Sequence, residues 1–469
     1  MTAAASHPTA ARVSALVQVT VFKLFTTAWV IAYLFHTVGG QRPSLWVAPG
    51  LLVALCLLLR PGSARLLVLF AILNVLEYLR LTPVASNHYL MAFFTDLSIL
   101  LSAVYCALDN RRQQRPWWNI DADALFAFFS VAGRYFLLIM YFYGIYHKIN
   151  QDFLDPAVSC ASALWDAGLG RFGLAGATWG HYLAIWTTFV VEGLAIFFLF
   201  TPRWKYWGFA IGMPFHLFIG FTGYAYYMDF STLCIALYVL FLPPQYVEKF
   251  NAAYNGLLQR LQLTPLQFGL LMLAALGLYY LVVRGIGWPR TFRDMPVFAL
   301  YAIPFYLTFL LWCHRASFAS IPTFFSTRGQ PVTALLVLLF FLNGSAPYLG
   351  FKTESSINMF SNLYTEGGRS NHLVHAPLYL FDYQQRLVEV VQTDDPYLQR
   401  FMGRDRFLVE FEFARYLAHH PQTAVTYRVD GQILQHMAGT AYPRQYTWLE
   451  DKMLKFKPVD FQQPKACTH

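Results

Sequence analysis

A lysine closes a long apolar, aromatic stretch of the chain at YFYGIYHKINQDF, residues 141–153. Lys148 can act as a base if burial in an apolar pocket lowers its affinity for a proton. At the end of a membrane helix it can instead keep its stem in lipid and its charge in water. Position alone favours the interfacial anchor, and the same two interpretations apply to His147.

Arg134, before this stretch, and Tyr141 and Lys148 within it are spaced seven residues apart. Seven residues of α-helix return to nearly the same face, so the three side chains are expected on one side of the helix. Lys148 then lies about 21 Å along the helix axis from Arg134. Arg134 itself is more typical of a residue that pairs helices than of a catalyst.

Other ionisable residues fall inside apolar segments, where they are costly and usually have a partner or a function. They are Lys23, Glu77, His88, Asp96, Glu192, His216 and Asp229. His88 follows two possible helix caps and fits an interfacial position, but it could also share a pocket with Lys148. Asp96, on the same face, is either a packing partner or a proton acceptor.

Two further residues are expected deeper in the membrane. Glu192 is either protonated there or, as we expect, paired with Arg134 in a structural ion pair. His216 lies about 9 Å below its helix end and needs a hydrogen-bond partner or a ligand. The histidines are too scattered to assert a metal site, the cysteines form no C-x-x-C motif, and no soluble-enzyme signature is present. We therefore expect no metal.

The composition is that of an integral membrane protein. Of 469 residues, 57% are hydrophobic and only 13% charged, against about 25% charged in soluble domains. Apolar windows predict an all-α polytopic fold of about eleven membrane segments. These are 14–36, 45–60, 65–81, 88–108, 124–147, 181–200, 206–222, 226–243, 266–284, 295–313 and 331–350.

The distribution of charge gives an orientation. Residues 351–469 hold 13 basic and 13 acidic residues, so the net charge of +9 lies in residues 1–350, mostly in short loops. This excess indicates membrane topology and not nucleic-acid binding. It favours a cytoplasmic N-terminus, which places residues 351–469 outside the cytoplasm.

Those last residues predict a small extramembrane α+β domain. LVEVVQTDD and TAVTYRVDGQILQ have strand patterns, with a turn at Asp430-Gly431. DRFLVEFEFARYLAHH, residues 405–420, has the pattern of an amphipathic helix between them. The polar stretch 351–373 is expected to cap the outer mouth of the membrane part.

Three stretches together resemble the vitamin K-dependent γ-carboxylase-like, or horizontally transferred transmembrane (HTTM), family. They are SNHYLMAFFTDLSIL, RYFLLIMYFYGIYHKINQDF and FVVEGLAIFFLFTPRWKYWGFAIGMPFHLFIGFTGYAYYMDF. The resemblance covers residues 1–245 as a transmembrane core. Residues 246–350, as additional transmembrane helices, and 351–469, as the outer domain, match in layout only.

The resemblance implies an enzyme, a carboxylase (lyase), and assigns its residues. Lys148 would deprotonate reduced vitamin K or a related quinol for epoxidation, and His88 would belong to the same active site. Oxygen and carbon dioxide would be co-substrates, with or without carboxylation of a glutamate in a protein or peptide. We expect Tyr141, Arg134, His147, His216, Asp96 and Glu192 to contact the substrate.

The carboxylases have two adjacent lysines at this point, whereas this chain has His147 and Lys148. The regions that bind a propeptide are not recognisable either. A non-catalytic scaffold that binds lipid or quinone and docks a partner is therefore the alternative. A transporter fits less well because no inverted repeat is visible. Membrane lipid is the expected surrounding, and the oligomeric state stays open.

Overall fold

The fold is mostly helical. A computed structural model describes residues 18–40, 46–321, 330–403, 406–461 and 467. Its first fourteen α-helices are α1 Val21–Gly40, α2 Ala48–Leu59, α3 Ala64–Leu81, α4 Asn87–Arg112, α5 Ala122–Tyr146, α6 Gln151–Leu154, α7 Cys160–Leu169, α8 Thr178–Phe200, α9 Lys205–Thr222, α10 Met228–Tyr238, α11 Pro244–Leu261, α12 Pro265–Gly285, α13 Arg290–Cys313 and α14 Gln330–Leu349. Residues 14–17 of the first predicted segment lie outside the described part.

Six of the described helices are long and apolar enough to cross a membrane: α4, α5, α8, α12, α13 and α14. A seventh span is formed if α10 and α11 count as one, although they are bent by 108°. Every predicted segment contains a helix, but the count of eleven spans is not confirmed. Helix α1 is a shorter apolar helix over Val21–Thr37, α2 has only 12 residues, and α3 carries Arg65, Glu77 and Arg80.

Helix α5 is the most deeply buried of the six, whereas α12 presents almost all of its surface to the surroundings. Around α5 pack α4, α8 and α14, and α10 runs between α1 and α9. The shared core is strongly aromatic, with Phe129 and Phe136 fully buried on α5. This arrangement places the end of α5, and hence Lys148, among several elements at once.

The C-terminal part forms the small α+β unit that its pattern predicts. Its strands are β1 Leu387–Thr393, β2 Arg406–Val409, β3 Val425–Val429, β4 Gln432–His436 and β5 Val459–Asp460, and its helices are α15 Glu410–His419 and α16 Trp448–Met453. The antiparallel sheet has the order β4-β3-β1-β2-β5. Strands β3 and β4 join at Asp430 and Gly431, both with positive φ, as a tight hairpin requires.

The predicted helix over 405–420 is wrong at its start. Residues 406–409 form β2, in which Leu408 lies opposite Val388 of β1, and the helix begins only at Glu410. The apolar pattern of RFLVEFEF, residues 406–413, is compatible with an amphipathic helix and with a strand. Pairing with β1 makes its first four residues a strand. Residue 405 lies outside the described part.

A disulfide joins the two parts of the chain. Cys160 at the start of α7 is bonded to Cys467, 307 residues later. Both cysteines lie outside the apolar segments, but nothing in their spacing predicts the pairing. The stretch between α14 and β1 is largely irregular, and Asn150 and His372 form an isolated bridge that holds it against the end of α5.

Candidate functional site

The central feature of the site is a buried ion pair between the turn that follows α5 and the middle of α8. Helix α5 ends at Tyr146, and the N–H of Lys148 donates to the carbonyl of Ile145 in the following turn. Lys148 Nζ lies 2.7 and 2.8 Å from the two carboxylate oxygens of Glu192. The two residues are 7% and 5% exposed. Lys148 is therefore not an interfacial anchor, because its charge is held inside the protein.

The expected pairing of Glu192 with Arg134 is wrong. Arg134 Nε donates instead to the carbonyl of Leu240, 2.7 Å away. The first half of α8 extends beyond the end of α5 and packs against Phe153 and Cys160. Glu192 is consequently level with Gly144, close to Lys148 and far from Arg134.

A second polar group lies on α5, one heptad before Lys148. The hydroxyl of Tyr141 is 2.7 Å from His216 Nε2 and 2.6 Å from the hydroxyl of Tyr238. Pro214 and Gly212 precede His216 on α9, and any Cβ at Gly212 would collide with the Tyr238 hydroxyl. Buried His216 Nδ1 has no hydrogen-bond partner among the described residues. The deep histidine thus has one partner and one free nitrogen.

These two polar groups line one cavity with about 720 Å³ of space between protein atoms, part of it open to the outside. Its polar side chains include Lys148, Glu192, Tyr141 and His216. Most other lining residues are apolar, among them Phe153, Phe215, Phe230 and Leu137. A largely apolar cavity with a few convergent polar groups is typical of a small-molecule site.

The stretch 351–373 contributes one wall of this cavity. Ile357, Met359 and Phe360 line it, and Phe360 contacts the ring of Tyr227. The stretch therefore covers this cavity, and its expected place at the outer mouth of a membrane part stays a prediction. Asn371 fixes it by donating to Asn150 and Asp152 near the end of α5.

His88 does not share this cavity. It lines a second cavity, with His36, Asp96 and Asp229, whereas Lys148 lines only the first. Phe230 separates them, because its ring contacts the ring of His88 on one side and that of His216 on the other. The hypothesis of a common His88–Lys148 pocket is therefore wrong.

Asp96 belongs to the second cavity and is fully buried. Its two carboxylate oxygens accept hydrogen bonds from Trp29 Nε1 at 3.0 Å and Asn74 Nδ2 at 3.1 Å. Each of the two oxygens thus has a hydrogen-bond donor within the protein. Of the two roles open to it, the contacts favour the packing partner.

His147 and Arg134 lie outside the lining of the first cavity. His147 is fully buried, with Nδ1 2.9 Å from the Tyr348 hydroxyl and Nε2 3.3 Å from the Ser356 carbonyl. It connects α5 to α14 and to the covering stretch, so it is not interfacial. Its expected contact with substrate is not supported by this position.

Sequence reasoning missed three residues at these two sites. Cys234 of α10 lines the first cavity, Tyr238 of the same helix is hydrogen-bonded to Tyr141, and His36, a lone histidine in α1, lines the second cavity. Nothing in their spacing relates them to Tyr141 or His88. Only the packing of α10 between α1 and α9 shows the relation.

Comparisons with known proteins leave the family open. No family model matches the chain, and neither a curated protein nor a solved structure does. The chemistry has to be inferred from the cavity. An amine–carboxylate pair next to an imidazole–phenol–phenol group, with apolar walls, is suited to moving protons on a lipophilic substrate.

Proposed function

We propose that this chain is a membrane-embedded enzyme of the vitamin K-dependent γ-carboxylase-like (HTTM) type that ionises a lipophilic quinol. The observation that carries the proposal is the buried Lys148–Glu192 pair at the wall of an apolar cavity. A buried lysine is a base whose proton affinity depends on its surroundings. A quinol can reach such a cavity from the bilayer.

The proposed step removes one proton from the quinol. Before the step, the two carboxylate oxygens of Glu192 accept hydrogen bonds from the Lys148 ammonium group. The ammonium passes one proton to Glu192, and the lone pair that this frees on Lys148 Nζ accepts a hydroxyl proton of the quinol. The step leaves negative charge on the substrate oxygen, an ammonium group on Lys148 and a protonated Glu192. The ionised quinol supplies the reducing power for reaction with oxygen, and carbon dioxide is needed only if a glutamate is carboxylated.

The other residues position the substrate. Tyr141 can donate a hydrogen bond to a second ring oxygen, and His216 Nδ1 is a free polar atom on the same wall. Phe153, Phe215 and Phe360 offer ring faces to an aromatic substrate. The apolar walls exclude water, which strengthens the electrostatic interactions inside.

We further propose the topology that fits this chemistry. The eleven predicted segments form the membrane part, with the N-terminus in the cytoplasm and residues 351–469 outside it. The Cys160–Cys467 disulfide supports this orientation, since disulfides persist in oxidising compartments. A protein or peptide substrate would approach from the side of the outer domain.

The test supplies purified protein in nanodiscs with reduced vitamin K and oxygen, and follows quinone epoxide by mass spectrometry. Wild type is expected to form epoxide and Lys148→Ala is not. Lys205→Met is the matched control, because Lys205 is also buried but lies on α9 away from the cavity. No epoxide from folded, quinol-bound wild type would overturn the proposal.

One observation favours the alternative, a non-catalytic scaffold that binds lipid or quinone. Lys148 is fully engaged by Glu192, as in a structural ion pair. Lys148→Arg separates the two functions, because arginine keeps the charge and the pair but is not deprotonated in proteins. A scaffold retains quinone binding with Arg and shows no turnover in any variant, whereas the enzyme loses epoxide formation.

A further inference from the structure

Three helices bring two imidazoles and a carboxylate together in the second cavity. His36 comes from α1, His88 from α4 and Asp229 from α10. His88 Nε2 lies 3.1 Å from His36 Nδ1 and 3.1 Å from Asp229 Oδ2, and His36 Nδ1 lies 3.3 Å from that same oxygen. The three atoms form a nearly equilateral triangle.

Hydrogen bonds among these three atoms cannot account for all three of their short distances. An ionised carboxylate brings no hydrogen, and each of the two ring nitrogens brings at most one. If both donate to Asp229 Oδ2, the two N–H groups lie side by side with their nitrogens 3.1 Å apart and no hydrogen bond between them. If one donates to the other, it no longer points at the carboxylate. A cation among the three atoms resolves the conflict, because all three then serve as ligands.

The dimensions suit a first-row transition metal. Histidine nitrogens and carboxylate oxygens bind Zn²⁺ at about 2.0–2.2 Å, so the ligand atoms of a tetrahedral site are about 3.3–3.5 Å apart. The observed 3.1–3.3 Å needs only a small opening of the triangle. Two histidines and one carboxylate on one face also form the ligand set of catalytic zinc and of mononuclear non-haem iron.

The surroundings hold these ligands in place. Asp229 Oδ1 accepts the N–H of Phe230 at 2.6 Å, which leaves Oδ2 for the two imidazoles. Ser86 Oγ lies at the edge of the His88 ring, 3.1 Å from Nδ1 and 3.2 Å from Nε2. Such outer contacts fix the ring orientation of metal-binding histidines. Buried His36 Nε2 has no protein partner among the described residues.

We propose that His36, His88 and Asp229 bind a divalent transition-metal ion with at least one coordination position open to the second cavity. That cavity has about 530 Å³ of space between protein atoms and is lined by aromatic residues such as Trp29 and Tyr33. A ligand with an oxygen or nitrogen donor and an apolar body would complete the coordination. This site is independent of the proposed chemistry at Lys148.

The test loads tag-free, chelator-treated full-length protein in nanodiscs with Co²⁺, and measures bound metal and the visible d–d bands. About one ion per chain is expected, with the intense bands typical of four-coordinate cobalt. His36→Ala and Asp229→Asn should each lower the affinity by at least tenfold. Zn²⁺ should compete with Co²⁺ and raise the melting temperature of wild type only.

His181→Ala is the matched control, because His181 also contacts a carboxylate, that of Asp166 at 2.9 Å, without a third ligand. It should bind Co²⁺ like wild type. Folded wild type that binds neither Co²⁺ nor Zn²⁺ would overturn the proposal. So would equal Co²⁺ binding by wild type and Asp229→Asn, which shows that the metal sits elsewhere. Melting curves of the metal-free variants check that they are folded.

Discussion

Lys148 Nζ contacts both carboxylate oxygens of Glu192 inside the protein, 44 residues apart in the chain. A buried ion pair of this kind adds little net stability, because desolvation of the two charges offsets their attraction. Removing one partner is nevertheless costly, since it leaves an isolated charge. The pair is thus explained better by what the amine can do in the cavity than by stability alone.

The first prediction separates the structural and chemical roles of this pair. Glu192→Leu alone should destabilise the protein by about 3–5 kcal/mol, because the ammonium of Lys148 loses its partner. The double variant Lys148→Met/Glu192→Leu should recover most of that loss, because two apolar side chains then fill the same space. Thermal unfolding in detergent measures both. A double variant that melts no higher than the single one contradicts this account.

The epoxide assay on the same double variant completes the test. Restored stability with no epoxide indicates that the pair is kept for chemistry. Restored stability with wild-type epoxide formation would mean that neither side chain takes part in the reaction.

The second prediction concerns the hydroxyl of Tyr141. Tyr141→Phe removes hydrogen bonds to His216 and Tyr238 and leaves both partners buried. Epoxide formation should fall about tenfold, corresponding to the loss of one positioned hydrogen bond of about 1.4 kcal/mol. Tyr146→Phe is the control, because that ring lies outside the cavity lining. Equal rates for the two variants would remove Tyr141 from the site.

The third prediction is a pH dependence of stability. Burial lowers the pKa of Lys352 to about 8, whereas an unfolded chain keeps the ordinary value of about 10.4. Between these pH values the unfolded state binds more protons, so the contribution of Lys352 to stability rises with pH. Below pH 8 the buried charge costs about 3 kcal/mol.

Lys352→Met should therefore melt higher than wild type at pH 7, and the difference should shrink as the pH approaches 10.4. Differential scanning fluorimetry across pH 6.5–10.5 measures it, with exposed Lys249→Met as the control. A difference that does not change with pH would show that Lys352 titrates as an ordinary lysine.

The fourth prediction tests the proposed orientation. Cys160 and Cys467 should be protected from a membrane-impermeant maleimide until a reductant is added, and both should then be labelled from outside sealed cells. Cys106, near the opposite end of α4 from His88, is the internal comparison and should stay unlabelled under the same conditions. Labelling of Cys160 only after the membrane is permeabilised would reverse the topology.

The sequence predicts local structure well where periodicity and turn residues decide it. Apolar windows place a helix in every expected segment, and Asp430-Gly431 predicts the β3–β4 hairpin. The start of α15 could not be predicted, because the pairing of Leu408 with Val388 joins residues 20 apart. The span count could not be predicted either, because a helix packed among others and a membrane helix have the same composition.

The candidate site was predicted in part. The heptad Tyr141–Lys148 does line one cavity, as helix geometry predicts. The partner of Glu192 could not be predicted, since it depends on how far α8 extends past α5. The separation of His88 from Lys148 likewise depends on Phe230, a core residue whose position only the packing reveals.

The most direct test of the central claim measures quinol binding and epoxide formation on one sample of Lys148→Ala. If Lys148 is the base, quinol binding should stay within about threefold of wild type, while epoxide formation falls by at least about 100-fold, the usual minimum for loss of a general base. Lys205→Met should match wild type in both. Epoxide formation by Lys148→Ala at the wild-type rate would contradict the assignment of Lys148 as the base.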